Sequence, residues 1–65
     1  MTVKTLLNKF DELNVSYIEI QNDGYERLLR SLDKYTILIY YGGKEVEKFY
    51  LSTINNKAII YIVIK

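Results

Sequence analysis

Apolar residues recur at helical spacing near the start of the chain. The residues at positions i, i+3, i+4, i+7 and i+10 are Val3, Leu6, Leu7, Phe10 and Leu13. This spacing places them along one side of an α-helix. Thr2 precedes the stripe and belongs to the residue types that cap helix N-termini. The pattern predicts an amphipathic helix over residues 3–13.

Four later segments have the β-branched and aromatic residues that are typical of strands: residues 15–21, 35–41, 45–52 and 58–64. The last two segments are separated by Asn55-Asn56, which tolerates the left-handed backbone of a tight turn. Gly42-Gly43 is expected to supply positive φ angles for the turn before residue 45. We therefore predict one strand at 15–21 and a three-stranded meander over residues 35–64.

Residues 24–34 carry two conflicting patterns. Tyr25, Leu28, Leu29 and Leu32 have helical spacing, and Asp23 with Glu26 resembles a helix-capping pair. Asp23-Gly24, in contrast, is a strong signal for a β-hairpin. The helical signals outnumber the hairpin signal, so we predict a helix here. The alternative of a strand stays open and would give one helix with five strands.

These elements predict a single α+β domain over residues 1–65, in the order α-β-α-β-β-β. The sheet is expected to be mainly antiparallel, because most of its strands follow one another through short turns. Both helices are expected on one face of the sheet.

The last hairpin indicates which residues form the core. A two-residue loop at Asn55-Asn56 places Phe49 opposite Ile62, and Leu51 opposite Ile60. These four side chains, together with Phe10, are expected to be buried between the sheet and the helices.

The other face of this hairpin is also apolar. It carries Lys48, Tyr50, Ile59, Tyr61 and Val63, whereas two short helices can cover only one face of a sheet. A sheet that is apolar on both faces is normally buried on both, and an exposed apolar patch usually marks an interaction site. We therefore predict partner binding through Tyr40, Lys48, Tyr50, Ile59, Tyr61 and Val63. The alternative is that the tyrosines lie flat with their hydroxyl groups in water.

Composition narrows the classes of function. The chain has 65 residues, no Cys, no His and a net charge of +1. It therefore lacks the usual general base, the thiol nucleophile and the common zinc ligands. We expect a protein that is not an enzyme and that uses no cofactor and no metal.

The expected partner is a protein, with self-association into a homo-oligomer as one form of that contact. A small nucleic-acid-binding protein that uses the same Tyr and Lys side chains is the alternative, although the low net charge and the absence of an aromatic RNA-binding motif disfavour it. No segment has the length or hydropathy of a membrane span or a signal peptide, and we expect a cytoplasmic protein. Frequent Ile, Lys, Asn and Tyr indicate an AT-rich genome, and a phage or mobile-element product that binds a host protein is our working hypothesis.

Overall fold

The computed structural model describes residues 1–9 and 15–65 of the chain. Its elements follow the order α-β-β-α-β-β. The helices are α1 (Val3–Lys9) and α2 (Lys34–Tyr41), and the strands are β1 (Tyr17–Gln21), β2 (Arg27–Ser31), β3 (Val46–Ile54) and β4 (Lys57–Ile64). The predicted α+β class is confirmed, whereas the predicted order of the elements is wrong in its middle part.

The four strands form one sheet in the order β2-β1-β4-β3. β1 pairs antiparallel with β2, β3 pairs antiparallel with β4, and the central pair β1–β4 is parallel. The sheet is therefore mainly antiparallel, as predicted. β4, whose residues 58–64 are uncharged and strongly apolar, has a neighbour on each side, which protects it from pairing with other chains.

The start of the chain follows its apolar pattern. Val3, Leu6 and Leu7 are buried, and the Thr2 hydroxyl accepts a hydrogen bond from the Thr5 backbone N–H at 3.2 Å. Helix α1 and its predicted cap are thus confirmed as far as Lys9. The rest of the predicted helix, with Phe10 and Leu13, lies outside the described residues.

The helix predicted over residues 24–34 is wrong, because β2 occupies this part of the chain. The Asn22 side chain accepts hydrogen bonds from the backbone N–H groups of Gly24 and Glu26, at 2.9 and 3.0 Å, and so closes a hairpin turn. Tyr25 adopts the left-handed region of the turn, with φ of 63°. The helical spacing of leucines in this segment is therefore incidental, and the alternative of a strand was the right one.

The strand predicted over residues 35–41 is also wrong, because this segment forms α2. Asp33 caps the helix by accepting a hydrogen bond from the Tyr35 backbone N–H at 2.9 Å. Gly42 ends it in a right-handed conformation and donates its N–H to the Leu38 carbonyl. Neither Gly42 nor Gly43 has a positive φ. Glycine is needed at position 42 because a Cβ there would lie 2.5 Å from the Leu38 carbonyl oxygen.

The core lies between the helices and one face of the sheet, which we call the inner face. The sheet contributes five buried isoleucines, and the helices contribute four buried aliphatic side chains, so both helices pack on this face as predicted. The nine residues are Ile18, Ile20, Ile60, Ile62, Ile64, Val3, Leu6, Leu7 and Ile37. The opposite face of the sheet, which we call the outer face, has no helix among the described elements.

The prediction that Phe49 and Leu51 are buried is wrong. Their pairing with Ile62 and Ile60 is confirmed, and both therefore lie on the inner face. Yet Phe49 is 42% exposed and Leu51 is 52% exposed, whereas Ile60 and Ile62 are fully buried. The reason is position in the sheet, because β3 is an edge strand while β4 lies at the centre of the core.

Candidate functional site

The structure places five of the six predicted contact residues on the outer face. The hairpin register is confirmed, with Lys48 opposite Val63, Tyr50 opposite Tyr61, and Ser52 opposite Ile59. The sixth residue, Tyr40, lies on α2, on the other side of the sheet. The predicted set therefore divides between two separate surfaces.

Tyr50 and Tyr61 are held against each other. Their ring centroids are 4.8 Å apart and the ring planes differ by 12°. The Tyr50 hydroxyl donates a hydrogen bond to Gln21 Oε1 at 3.1 Å, and Gln21 lies on β1, beyond β4. Tyr50 therefore lies flat across the sheet, and its hydroxyl is hydrogen-bonded to the protein instead of to water.

A buried carboxylate is the centre of a polar network on this face. Glu19 is 4% exposed and lies directly between Arg30 on β2 and Tyr61 on β4. Its Oε1 accepts hydrogen bonds from Arg30 Nε and Nη2 at 2.8 and 2.7 Å. Its Oε2 accepts one from Gln21 Nε2 at 2.7 Å. Because a buried charge is costly unless paired and hydrogen-bonded, this network is a structural part of the fold.

A second contact closes the end of the outer face next to the β1–β2 turn. Lys48 Nζ lies 4.5 Å from the centroid of the Tyr25 ring. Hydrogen bonding to Tyr25 raises the pKa of Lys48 above its ordinary value. Val63 lies between Lys48 and Gln21 in the sheet register, and it is fully buried.

Two of the five predicted contact residues on the outer face are covered by other side chains of the chain. Ile59 and Val63 are 3% and 0% exposed, and neither can touch a partner unless the residues above them move. Lys48 and Tyr50 are exposed on the same face, so partner binding through it stays a prediction. Long polar and aromatic side chains have apolar bodies, and the Tyr50 ring lies along the sheet here, stacked on Tyr61.

One shallow cavity of about 370 Å³ opens at the far end of the outer face. It lies beside the β3–β4 turn, and the Arg30 guanidinium on its wall is already engaged with Glu19. Its lining consists of Tyr17, Arg30, Ile54, Asn55, Lys57 and Ile59. Arg30 also lies 5.8 Å from the centroid of the Tyr17 ring, so its guanidinium is held by two neighbours.

The apolar side chains with the greatest exposure lie elsewhere, on and beside α2. Leu32, Tyr35, Ile39 and Tyr40 are 71%, 70%, 78% and 68% exposed. Tyr35 and Ile39 are four residues apart and thus neighbours on the helix surface. We call these four residues the α2 surface. The α2 surface was not predicted as a unit, because residues 35–41 were assigned to a strand. Asp33, which precedes this apolar run, was an available signal for a helix N-cap.

Among residues 1–9 and 15–65, no three His, Cys, Asp or Glu side chains lie close enough together to hold a metal ion. The described helices are each too short and insufficiently apolar to cross a membrane.

The chain was compared with protein-family models, with curated proteins and with solved structures, and none of them matches it.

Proposed function

We propose that this chain is a non-enzymatic protein-binding module whose contact surface is the α2 surface. The observation that supports the proposal most is the exposure of Leu32, Tyr35, Ile39 and Tyr40, each about two-thirds exposed or more. Large apolar side chains grouped on a small domain usually mark an interaction site. The proposal moves the contact away from the outer face, where Ile59 and Val63 are covered.

The composition of α2 supports a protein as the partner. A helix that is apolar on all sides is normally buried, and α2 has only one fully buried residue, Ile37. Its single charged residue is Lys34, which gives it little to offer a phosphate backbone. Tyr and aliphatic side chains are what the centre of a protein interface prefers. The partner that fits is a protein with an apolar groove for one helix face.

The spacing of the exposed residues fits such a groove. Tyr35 and Ile39 are separated by one helical turn, and Leu32 lies directly before the Asp33 N-cap. Tyr40 widens the surface beside Ile39. An apolar i, i+4 pair is part of the pattern by which helices bind in grooves.

The test is a comparative capture of partner proteins from the host cells, with the immobilised chain and two variants. Tyr35→Ser/Ile39→Ser removes the centre of the α2 surface. Ser has a helix propensity close to those of Tyr and Ile, and both positions are exposed, so the fold should stand. Ile54→Ser is the matched control, because Ile54 is an exposed apolar residue on β3, at the other edge of the sheet.

We expect a protein that is retained by the wild type and by Ile54→Ser and is lost with Tyr35→Ser/Ile39→Ser. Two central apolar contacts are together worth about 2 kcal/mol or more, which is about a thirtyfold loss of affinity. A partner retained equally by all three chains would show that the α2 surface is not the contact.

A further inference from the structure

The two edges of the sheet differ in how well they are protected against pairing with another strand. β2 has five residues, and two of them are arginines. β3 has nine residues, and every one from Glu47 to Ile54 is exposed. Only its start is protected, by a β-bulge between Val46 and Lys48 and by the Val46 N–H, which donates a hydrogen bond to the Met1 carbonyl at 2.8 Å. Long, exposed and apolar edges are templates for another strand, so β3 is the open edge of this sheet.

The turn between β3 and β4 fixes which backbone groups of β3 point outward. Asn55 and Asn56 have φ of 52° and 64°, the type I′ geometry in which the flanking residues Ile54 and Lys57 exchange both hydrogen bonds. Hydrogen-bonded and non-hydrogen-bonded pairs then alternate along the hairpin. Tyr50 and Ser52 therefore bond toward β4, while Leu51 directs its N–H and C=O toward the edge.

The side chains of β3 are ordered symmetrically about Tyr50. On its two sides stand Phe49 and Leu51, then Lys48 and Ser52. We propose that β3 pairs antiparallel with β3 of a second copy of this chain, with the two-fold axis at Tyr50. Phe49 then lies opposite Leu51 of the second copy, and Lys48 lies opposite its Ser52. In this register Phe49, Tyr50 and Leu51 each lie opposite an apolar side chain. Neither Glu47 nor Lys48 lies opposite a residue of like charge.

The two neighbouring registers match apolar residues with apolar residues less well. Moving the axis to Leu51 would place Phe49 opposite Thr53 and Lys48 opposite Ile54. Moving it to Phe49 would place Lys48 opposite Tyr50 and extend the pairing into the bulge that starts at Val46. The axis at Tyr50 is thus the register in which aromatic and aliphatic cross-strand neighbours stabilise the pair.

The resulting dimer has one continuous sheet of two four-stranded halves. Paired residues of antiparallel strands lie on the same face, so both α2 surfaces lie on the same side of this sheet, each near one of its ends. The dimer would present two copies of the α2 surface, although the pairing itself does not depend on the proposed function. Tyr61 and Tyr50 of each copy would form a row of four rings across the outer face.

Directed disulfide formation tests both the pairing and its register, because the chain has no cysteine. In the proposed dimer Lys48 and Ser52 of the second copy form a non-hydrogen-bonded pair with Cα atoms about 4.5 Å apart, within the ~4.4–6.8 Å range of disulfides. Two copies of Ser52 would lie about 13 Å apart, from four residues at ~3.3 Å each. Lys48→Cys and Ser52→Cys change exposed positions, so folding is checked by circular dichroism before mixing.

We expect the mixture of Lys48→Cys and Ser52→Cys to cross-link about tenfold faster or more than either variant alone, because pairing raises the effective thiol concentration to the millimolar range. Sedimentation of the wild type at tens of micromolar should then show a species of twice the 7.7 kDa chain mass. A mixture no faster than the separate variants, or a wild type that stays at 7.7 kDa, would overturn the pairing. Faster cross-linking of Ser52→Cys with itself would overturn the register.

Discussion

The Tyr50 hydroxyl donates a hydrogen bond to Gln21 Oε1 over 3.1 Å, and strand β4 lies between the strands that carry these two residues. The Tyr50 ring spans that strand while stacked on Tyr61. Because Gln21 in turn donates to Glu19, Tyr50 is connected to the buried carboxylate of the outer face. The ring is therefore part of the fold of the monomer.

Tyr50→Phe removes only this hydroxyl and is expected to lower the free energy of unfolding by about 1 kcal/mol, the usual net contribution of a hydrogen bond. Tyr40→Phe is the matched control, because the Tyr40 side chain is largely exposed, and it should change stability by less than ~0.5 kcal/mol. Urea unfolding of both variants is the measurement. Equal stabilities would show that the Tyr50–Gln21 bond contributes nothing.

Arg30→Ala leaves the Glu19 carboxylate buried without its ionic partner and should be strongly destabilising. Removing one member of a buried pair costs about 3–5 kcal/mol. The Arg30 side chain is 35% exposed, so water screens part of the effect, and we expect about 2–3 kcal/mol. Arg27→Ala is the control, because Arg27 is an exposed arginine on the same strand while the ion pair with Glu19 is made by Arg30, and it should cost less than ~0.5 kcal/mol. Thermal unfolding at neutral pH compares the two, and a similar loss in both would contradict the role given to Glu19.

Ile62→Ala and Leu51→Ala separate the centre of the inner face from its edge. Ile62 is fully buried, so its truncation should cost about 2–5 kcal/mol. Leu51 is about half exposed in the monomer, and its truncation should cost only ~1 kcal/mol, about half of the transfer free energy of a buried leucine. Unfolding is measured at sub-micromolar concentration to exclude self-association. A larger loss for Leu51→Ala would mean that β3 is not an edge strand.

Tyr25→Phe should lower the pKa of Lys48. Hydrogen bonding to Tyr25 is the main cause that raises this pKa above its ordinary value of 10.5, and the variant lacks the hydroxyl. Because the pKa is raised in the folded state, the stability from this contact is fully present below pH 10.5 and is lost as the pH rises through the raised pKa. An NMR titration of the Lys48 side chain measures the change. An unaltered pKa would contradict the contact with Tyr25.

The last hairpin was predictable from the sequence because short-range chemistry determines it. Asn55 and Asn56 both tolerate positive φ, and a two-residue loop sets the pairing of every residue that follows. The face of each side chain on β3 and β4 follows directly from that register. Burial did not follow, because the sequence does not reveal that β4 is central while β3, with Phe49 and Leu51, is at an edge.

The middle of the chain was mispredicted because the competing signals there are local, whereas the outcome depends on distant contacts. Residues 35–41 are almost entirely apolar, and such a run does not distinguish a helix from a strand by its period. Capping by Asp33 and burial of Ile37 stabilise the helical conformation of α2. In the preceding segment, pairing of Arg30 with Glu19 and of Leu29 with Ile20 outweighs the helical spacing of the leucines.

The candidate site was only partly predictable, for a similar reason. That the outer face carries Lys48, Tyr50 and Tyr61 follows from alternation along the strands. The contacts that hold these side chains in place involve Glu19, Gln21 and Tyr25, which come from another part of the chain. The α2 surface could not be recognised while residues 35–41 were assigned to a strand, although Tyr40 was among the predicted contact residues.

NMR mapping of the bound surface is the most direct test of the proposal that the α2 surface binds a protein. A partner obtained by the comparative capture is added to the isotope-labelled chain, and backbone amide shifts are followed. We expect the largest changes in residues 32–41, and small changes at Tyr50 and Tyr61. Changes centred on Tyr50 and Tyr61, with residues 32–41 unaffected, would contradict the account and return the contact to the outer face of the sheet.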